Sequence, residues 1–260
     1  MELNWYKKKR LEKLKMNNIN WNNKEEILKS VAEDGFNLEL APNYIKNNKE
    51  IVLIAVKNCG SSLRFASERL KDDKDVVMES VKSNGYSLKY ASLALKKDNN
   101  IVLAAIKNTG DSLNFASEEL KDNFEIVSEA IKNDGESVKY ASERLKNNKN
   151  IIDGALNKSG LNIRFASEEL KNDLELSLKA VKQNGYAIKY ISEKLKLDSK
   201  IVLEAVKKDP ELYKFAGPEL KAKYPTVEKF IEANKEKTKQ NEAPKERATR
   251  SRVRTNGNER

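Results

Sequence analysis

The chain has no histidine and only one cysteine in 260 residues. Without histidine it lacks the commonest general base and the commonest zinc ligand. Cys59 has no imidazole to form a nucleophilic pair and no second thiol for an internal disulfide. The ten glycines are not clustered, so neither a P-loop nor a dinucleotide-type phosphate loop can be assembled. No apolar run is long enough to span a bilayer, and nothing resembles a signal peptide. These absences lead to four expectations: no enzymatic activity, no cofactor or metal, no membrane partner, and a cytoplasmic address.

What the chain does contain is a period. Gly35, Gly60, Gly85, Gly110, Gly135, Gly160 and Gly185 recur every 25 residues, and Pro210 takes the next place. Six residues on stand Ala41, Ala66, Ala91, Ala116, Ala141, Ala166, Ile191 and Ala216, each preceded by Leu40 or by an aromatic residue from Phe65 to Phe215. Ten residues on stand Ile45 and then leucines from Leu70 to Leu220. A period kept without insertion means a stacked repeat array, each unit burying its apolar face against its neighbours.

Spacing within the unit points to helices. Ile51, Val52, Leu53, Ala55 and Val56 fall within one arc at about 100° per residue, with Glu50 and Lys57 opposite. An N-capping Asx precedes each such run (Asp73, Asp98, Asn123, Asn148, Asp173, Asp198). Asn84-Gly85 and Asp134-Gly135 also match hairpin turns, but their flanks lack two-residue alternation. Each helix is expected to end at its glycine in a left-handed C′ conformation, with Phe36, Tyr86, Leu161 and Tyr186 meeting Val31, Val81, Leu156 and Val181.

The second segment, such as Ser62 to Lys71, also has helical spacing: Leu63, Ala66 and Leu70 share a face. It reads either as one helix of about ten residues, the preferred form, or as two turns broken before an N-capping serine. Pro42 and Pro218 in the terminal units favour the break. The fold expected is all-α: an alpha-solenoid of about eight 25-residue two-helix repeats with capping elements at both ends. Trp5, Tyr6, Leu11, Leu14 and Trp21 would cap one end, and Val227, Phe230 and Ile231 the other.

Charge divides the chain into three parts. Residues 1–24 hold seven of the 50 basic and two of the 40 acidic side chains, and residues 234–260 hold nine and four, leaving 34 of each in 25–233. The domains read as a basic N-terminal capping segment (1–24), a neutral helical array (25–233) and a disordered basic tail (234–260). Uncompensated positive charge of the kind that binds phosphate lies only in the arms, at Lys7, Lys8, Lys9 and Arg10 and at Arg247, Arg250, Arg252 and Arg254.

Three basic ladders run through the array. Lys46 and its equivalents to Lys221, and Lys57 and its equivalents to Lys207, sit in last helical turns, where a cation complements the helix dipole. The third ladder, Arg64, Lys89, Lys139, Arg164, Lys189 and Lys214, lies early in its segment and has no such reason. Glu68, Glu143, Glu168 and Glu193 stand four residues after members of it, so i,i+4 pairing is one account and a partner-facing stripe the other. Asp153, Ser128 and Gly154 depart from the apolar or helix-favouring residues of other units and mark either a local pocket or hinge, or a tolerated edge position.

The pattern Val-x-x-Ala-Val-Lys-x-Asn-Gly-Tyr-x-Leu-x-Tyr-Ala-Ser-x-x-Leu-Lys-x-Asp, nearly complete in residues 77–98 and 177–198, resembles the tandem repeats of domain of unknown function 4116 across about residues 26–222. That resemblance implies a helical repeat fold and no established activity. The function expected is a noncatalytic scaffold binding a protein or peptide along the third ladder. The alternative is nucleic-acid association through the basic arms.

Overall fold

The computed structural model describes residues 19–236, whose regular elements are all helices, with no strand among them. The chain divides into two compact units, Met1–Lys158 and Ser159–Arg260. Trp5, Tyr6, Leu11 and Leu14 lie outside the described residues.

Ten-residue helices recur at the period. The first unit holds α1 (Lys24–Glu33), α2 (Lys49–Asn58), α3 (Lys74–Ser83), α4 (Asn99–Asn108), α5 (Phe124–Asn133) and α6 (Lys149–Lys158). The second holds α7 (Leu174–Gln183), α8 (Ser199–Lys208) and a helical run over 227–236. The expected Asx caps are present: Asp73 accepts from the amides of Asp75 and Val76, and Asp98 from those of Asn100 and Ile101. Helices this short are marginal alone, so packing must hold them. In the first unit each rests on the next, α1 on α2 through to α5 on α6, and α7 rests on α8 in the second. Val52, Ala55, Val56 and Leu63 are fully buried, as are their equivalents Val102, Ala105, Ile106 and Leu113. Each large apolar side chain so buried contributes about 1.5–3 kcal/mol.

The period glycine has a different role from the one expected. None of Gly35, Gly60, Gly85, Gly110, Gly160 and Gly185 occupies the left-handed region. The residue before each glycine is extended instead (Asn84, φ −152°), which stops the helix, and the glycine opens a 3-10 segment. The same residue closes one element and caps the next: the Asn84 carboxamide accepts from the Tyr86 amide. Close approach is what requires glycine here. A Cβ at Gly35 would lie 2.2 Å from the Ala55 carbonyl oxygen, at Gly60 2.4 Å from that of Ser80 and at Gly160 2.3 Å from that of Ala180. Phe36 and Tyr86 make ring contacts with the next repeat, Phe36 on Phe65 and Tyr86 on Phe115, with centroids 6.1 and 6.3 Å apart.

The second segment is broken, contrary to the preferred reading of one helix. Gly60–Phe65 is a 3-10 segment, Ala66 is extended, and Glu68–Lys71 forms a separate short helix capped by the Ser67 hydroxyl. The break follows from a bond between units: the Ser67 amide donates to the Lys46 carbonyl at 2.9 Å, so it cannot continue the helical ladder of its own segment. Ser92, Ser117, Ser142 and Ser192 repeat this bond to Lys71, Lys96, Lys121 and Lys171. Pro42 and Pro218 fit because they occupy the cap and first-turn positions of that short helix.

A third contact between units was not anticipated. Asn58, the last residue of α2, accepts the Gly35 amide at 2.9 Å and donates to the Ala32 carbonyl at 2.8 Å. Asn108 does the same for Gly85 and Lys82, and Asn133 for Gly110 and Lys107. One carboxamide thereby satisfies two backbone groups left over at the preceding helix end. At the far end Phe230 is fully buried between the rings of Tyr213 and Tyr224. Gly154 sits within an uninterrupted α6, and its neighbour Asp153 shares that helix. A Cβ at Gly154 would meet only Ile131 Cγ2, at 3.8 Å.

Candidate functional site

The third ladder occupies the fifth position of the 3-10 segments, immediately before the half-buried aromatic residue. Each cation lies over that neighbouring ring. The charge centre is 4.3 Å from the ring centroid for Arg64 on Phe65, 5.6 Å for Lys89 on Tyr90, 4.8 Å for Lys139 on Tyr140, 4.5 Å for Arg164 on Phe165, 5.9 Å for Lys189 on Tyr190 and 5.5 Å for Lys214 on Phe215. Such contacts are worth about 0.5–1 kcal/mol when exposed. Lys189 also lies 5.6 Å from the Phe215 ring. Consecutive 3-10 segments pack on one another within each unit, from Gly35–Leu40 to Gly135–Tyr140 in the first and from Gly160–Phe165 to Pro210–Phe215 in the second. The cations and rings therefore form a row on each unit.

The i,i+4 pairing expected for this ladder does not form. Glu68, Glu143, Glu168 and Glu193 bind Lys71, Lys146, Lys171 and Lys196 at 2.8, 2.9, 2.8 and 2.6 Å. The break at the alanine turns the short helix away from the 3-10 segment, so only i,i+3 neighbours inside that helix meet. In these pairs the lysine is tucked in, 12–19% exposed, while the glutamate is 81–90% exposed. The array is neutral in sum but striped: glutamates project from the short helices, and cations line the 3-10 segments.

Within the row the cations differ. Lys139 bonds Asp111 at 3.1 Å and approaches Glu136 at 3.8 Å. Burial acts to lower its pKa, but Asp111 and Tyr140 outweigh this and hold the ammonium above its ordinary value. Arg64 and Lys214 have carboxylates only at 3.9 Å, from Glu39 and Glu211. Lys89 and Lys189 make no ion pair with any described residue and rest on rings alone. Asn114 stands where a cation would continue the series between Lys89 and Lys139.

Two other sets of charges serve the joints between units. Lys49 reaches Asp73 and Asp75 at 2.9 and 2.7 Å, and Lys74 reaches Asp98 at 2.8 Å, tying one helix start to the next. Lys74 and the capping amides hold the Asp98 carboxyl below its usual range. The Ser142 hydroxyl and then Arg144 do the same for Asp122. Periodicity alone could not reveal these roles, nor that of Asn58, because side chains that bridge units recur at the same positions as solvated ones.

No group of three or more His, Cys, Asp or Glu among the described residues is placed to hold a metal ion. No helix among them is long and apolar enough to cross a membrane. Cys59 is a free, partly exposed residue at the end of α2, occupying the position of the capping Asn84 and Asp134. Lys7, Lys8, Lys9, Arg10, Arg247, Arg250, Arg252 and Arg254 lie outside the described residues.

The family model of Domain of unknown function (DUF4116) matches residues 23–71, 73–121, 123–171, 148–196 and 173–221. The chain belongs to this family. Each match opens at the Asx cap of a ten-residue helix and closes at the lysine of a short helix, spanning two periods less a residue or so. The five matches include every member of the cation row, from Arg64 to Lys214. Comparison with curated proteins and with solved structures found no match.

Proposed function

We propose that the chain is a noncatalytic scaffold of the alpha-solenoid kind, with about eight 25-residue units, that binds a protein or peptide partner along the row formed by Arg64, Lys89, Lys139, Arg164, Lys189 and Lys214. The observation that carries this reading is that Lys89 and Lys189 lie on half-buried rings with no carboxylate partner among the described residues, although the array supplies enough acidic residues to neutralise them. Aromatic residues and arginine are enriched at interfaces, whereas lysine and glutamate are depleted there. The row is richer in rings than the glutamate stripe, which makes it the better candidate. The cytoplasmic address expected from the single cysteine belongs with this proposal.

Replacing the six cations by alanine is the test. Capture of a native partner should weaken while the circular dichroism spectrum stays unchanged; capture at the wild-type level removes the row from the proposal. A second reading, nucleic-acid association through the arms, is favoured by their holding all of the net charge. Affinity should then fall steeply with salt and vanish on deleting residues 1–15 and 235–260. Equal binding by the isolated array would exclude it.

A further inference from the structure

We infer that the row on each unit takes an acidic segment in the polyproline-II conformation with a carboxylate at every third residue. This rests on the function proposed above and names the chemistry of the partner. Three observations lead to it: charge, spacing and the state of the rings.

Charge selects an anionic partner. Lys89 and Lys189 are exposed and have no described carboxylate, and the nearest carboxylates to Arg64 and Lys214 stand off at 3.9 Å. The glutamate stripe on the short helices, 81–90% exposed, borders this row with the opposite sign. A polyanion that needs a broad positive field is disfavoured by that border. A narrow ligand with discrete carboxylates is not.

Spacing selects the backbone. Packed helical layers repeat at about 8–10 Å, and the 3-10 segments of each unit lie against one another in sequence. A polyproline-II chain has three residues per turn and rises about 3.1 Å per residue, so every third side chain returns to one edge after about 9 Å. An extended β-strand puts residues i and i+3 on opposite faces. An α-helix needs about six residues to cover the same distance, and it docks through an apolar face.

The rings explain why the ligand is proline-rich rather than a row of stacked bases. Ring faces are covered by the chain's own cations, at 4.3 Å on Phe65, 4.8 Å on Tyr140 and 4.5 Å on Phe165. Tyr86 and Tyr186, in the same 3-10 segments as Lys89 and Lys189, are 46% and 49% exposed. Aromatic-lined surfaces of this kind receive proline rings, and a preformed polyproline-II chain loses little entropy on binding.

The test is fluorescence anisotropy on the full chain at physiological salt. The probes are a labelled peptide of about three Glu-Pro-Pro repeats, short enough to lie along the row of one unit, an isomer with its glutamates gathered at one end, an acidic helical peptide with heptad spacing, and a single-stranded oligonucleotide. The isomers carry the same net charge, and substitutions at Lys89 and Lys189 leave the arms unchanged, so a preference between isomers that depends on these lysines reports the row. The periodic peptide should bind several-fold tighter than its isomer. Lys89→Ala should weaken it about three-fold, and Lys89→Ala with Lys189→Ala about ten-fold, with Lys89→Arg retaining affinity. Equal affinity for the isomers, or no response to the variants, overturns the inference. If the helical peptide alone binds in a Lys89-dependent way, the polyproline-II ligand is wrong and the docking row survives. If only the oligonucleotide responds to the variants, or no probe and no native partner does, the proposed function falls as well.

Discussion

The joint at Gly35 and the joint at Gly185 solve one packing problem with different materials. At Gly35 a Cβ would meet a backbone carbonyl at 2.2 Å, and the amide is held by Asn58. At Gly185 the first obstacle is the tip of a side chain, Leu212 Cδ1 at 2.7 Å, with Lys208 Cβ at 3.1 Å and the Ala205 oxygen at 3.2 Å. A carbonyl in a helix cannot yield, whereas a leucine terminus can rotate. Glycine is therefore strictly required where helix backbone meets helix end, as at Gly35, and less so at Gly185.

The largest expected effect breaks or confirms this contrast. Gly35→Ala and Gly60→Ala should each destabilise by about 3 kcal/mol or more, and Gly185→Ala by about 1 kcal/mol, in urea denaturation. Equal losses would mean that contact with the carbonyl is not the cause. Next in size is the asparagine bridge. Asn108→Ala leaves the Gly85 amide and the Lys82 carbonyl without their partner and should cost about 1–3 kcal/mol. Ser83→Ala removes only the bond to the Gly60 amide and should cost less.

A third substitution works in the opposite direction. Gly154→Ala has room for its methyl group and should stabilise α6 by about 0.5–1 kcal/mol, read as a higher Tm. The smallest effect concerns Leu93, 78% exposed at the place where other units carry the glutamate that pairs with the buried-side lysine. Burial without that glutamate lowers the pKa of Lys96. The folded chain then binds fewer protons than the unfolded one between the lowered pKa and the ordinary lysine value, so stability rises with pH across that window. Leu93→Glu should restore the pair, add about 0.3–0.5 kcal/mol near neutral pH, and flatten that rise in denaturation midpoints measured against pH.

Helices, their Asx caps and the buried face were legible because each leaves its own mark in the sequence. Ile51, Val52, Ala55 and Val56 follow the 3.6-residue period, and Asp73 and Asp98 stand one residue before it. The role of the glycines was not legible, since a left-handed cap and a close approach both demand glycine at a helix end and differ only in backbone angle. The break at Ala66 was concealed because Leu63, Ala66 and Leu70 keep helical spacing across an extended residue; Pro42 and Pro218 were the signal that exposed it. For the cation row the residues were found and the cause was not. Arg64 and Glu68 look like a pair until the Ser67 amide is seen bonded to the previous unit.

The bridging bonds reach back by fixed distances, 21 residues from Ser67 to Lys46 and 23 from Asn58 to Gly35. A deletion or duplication of one whole period leaves every such distance intact, while loss of a single residue between Lys46 and Ser67 breaks the register of the bonds that cross it. Genes of this design can lengthen or shorten in steps of one module with each seam already fitted, and the number of stacked modules becomes a quantity that recombination can set.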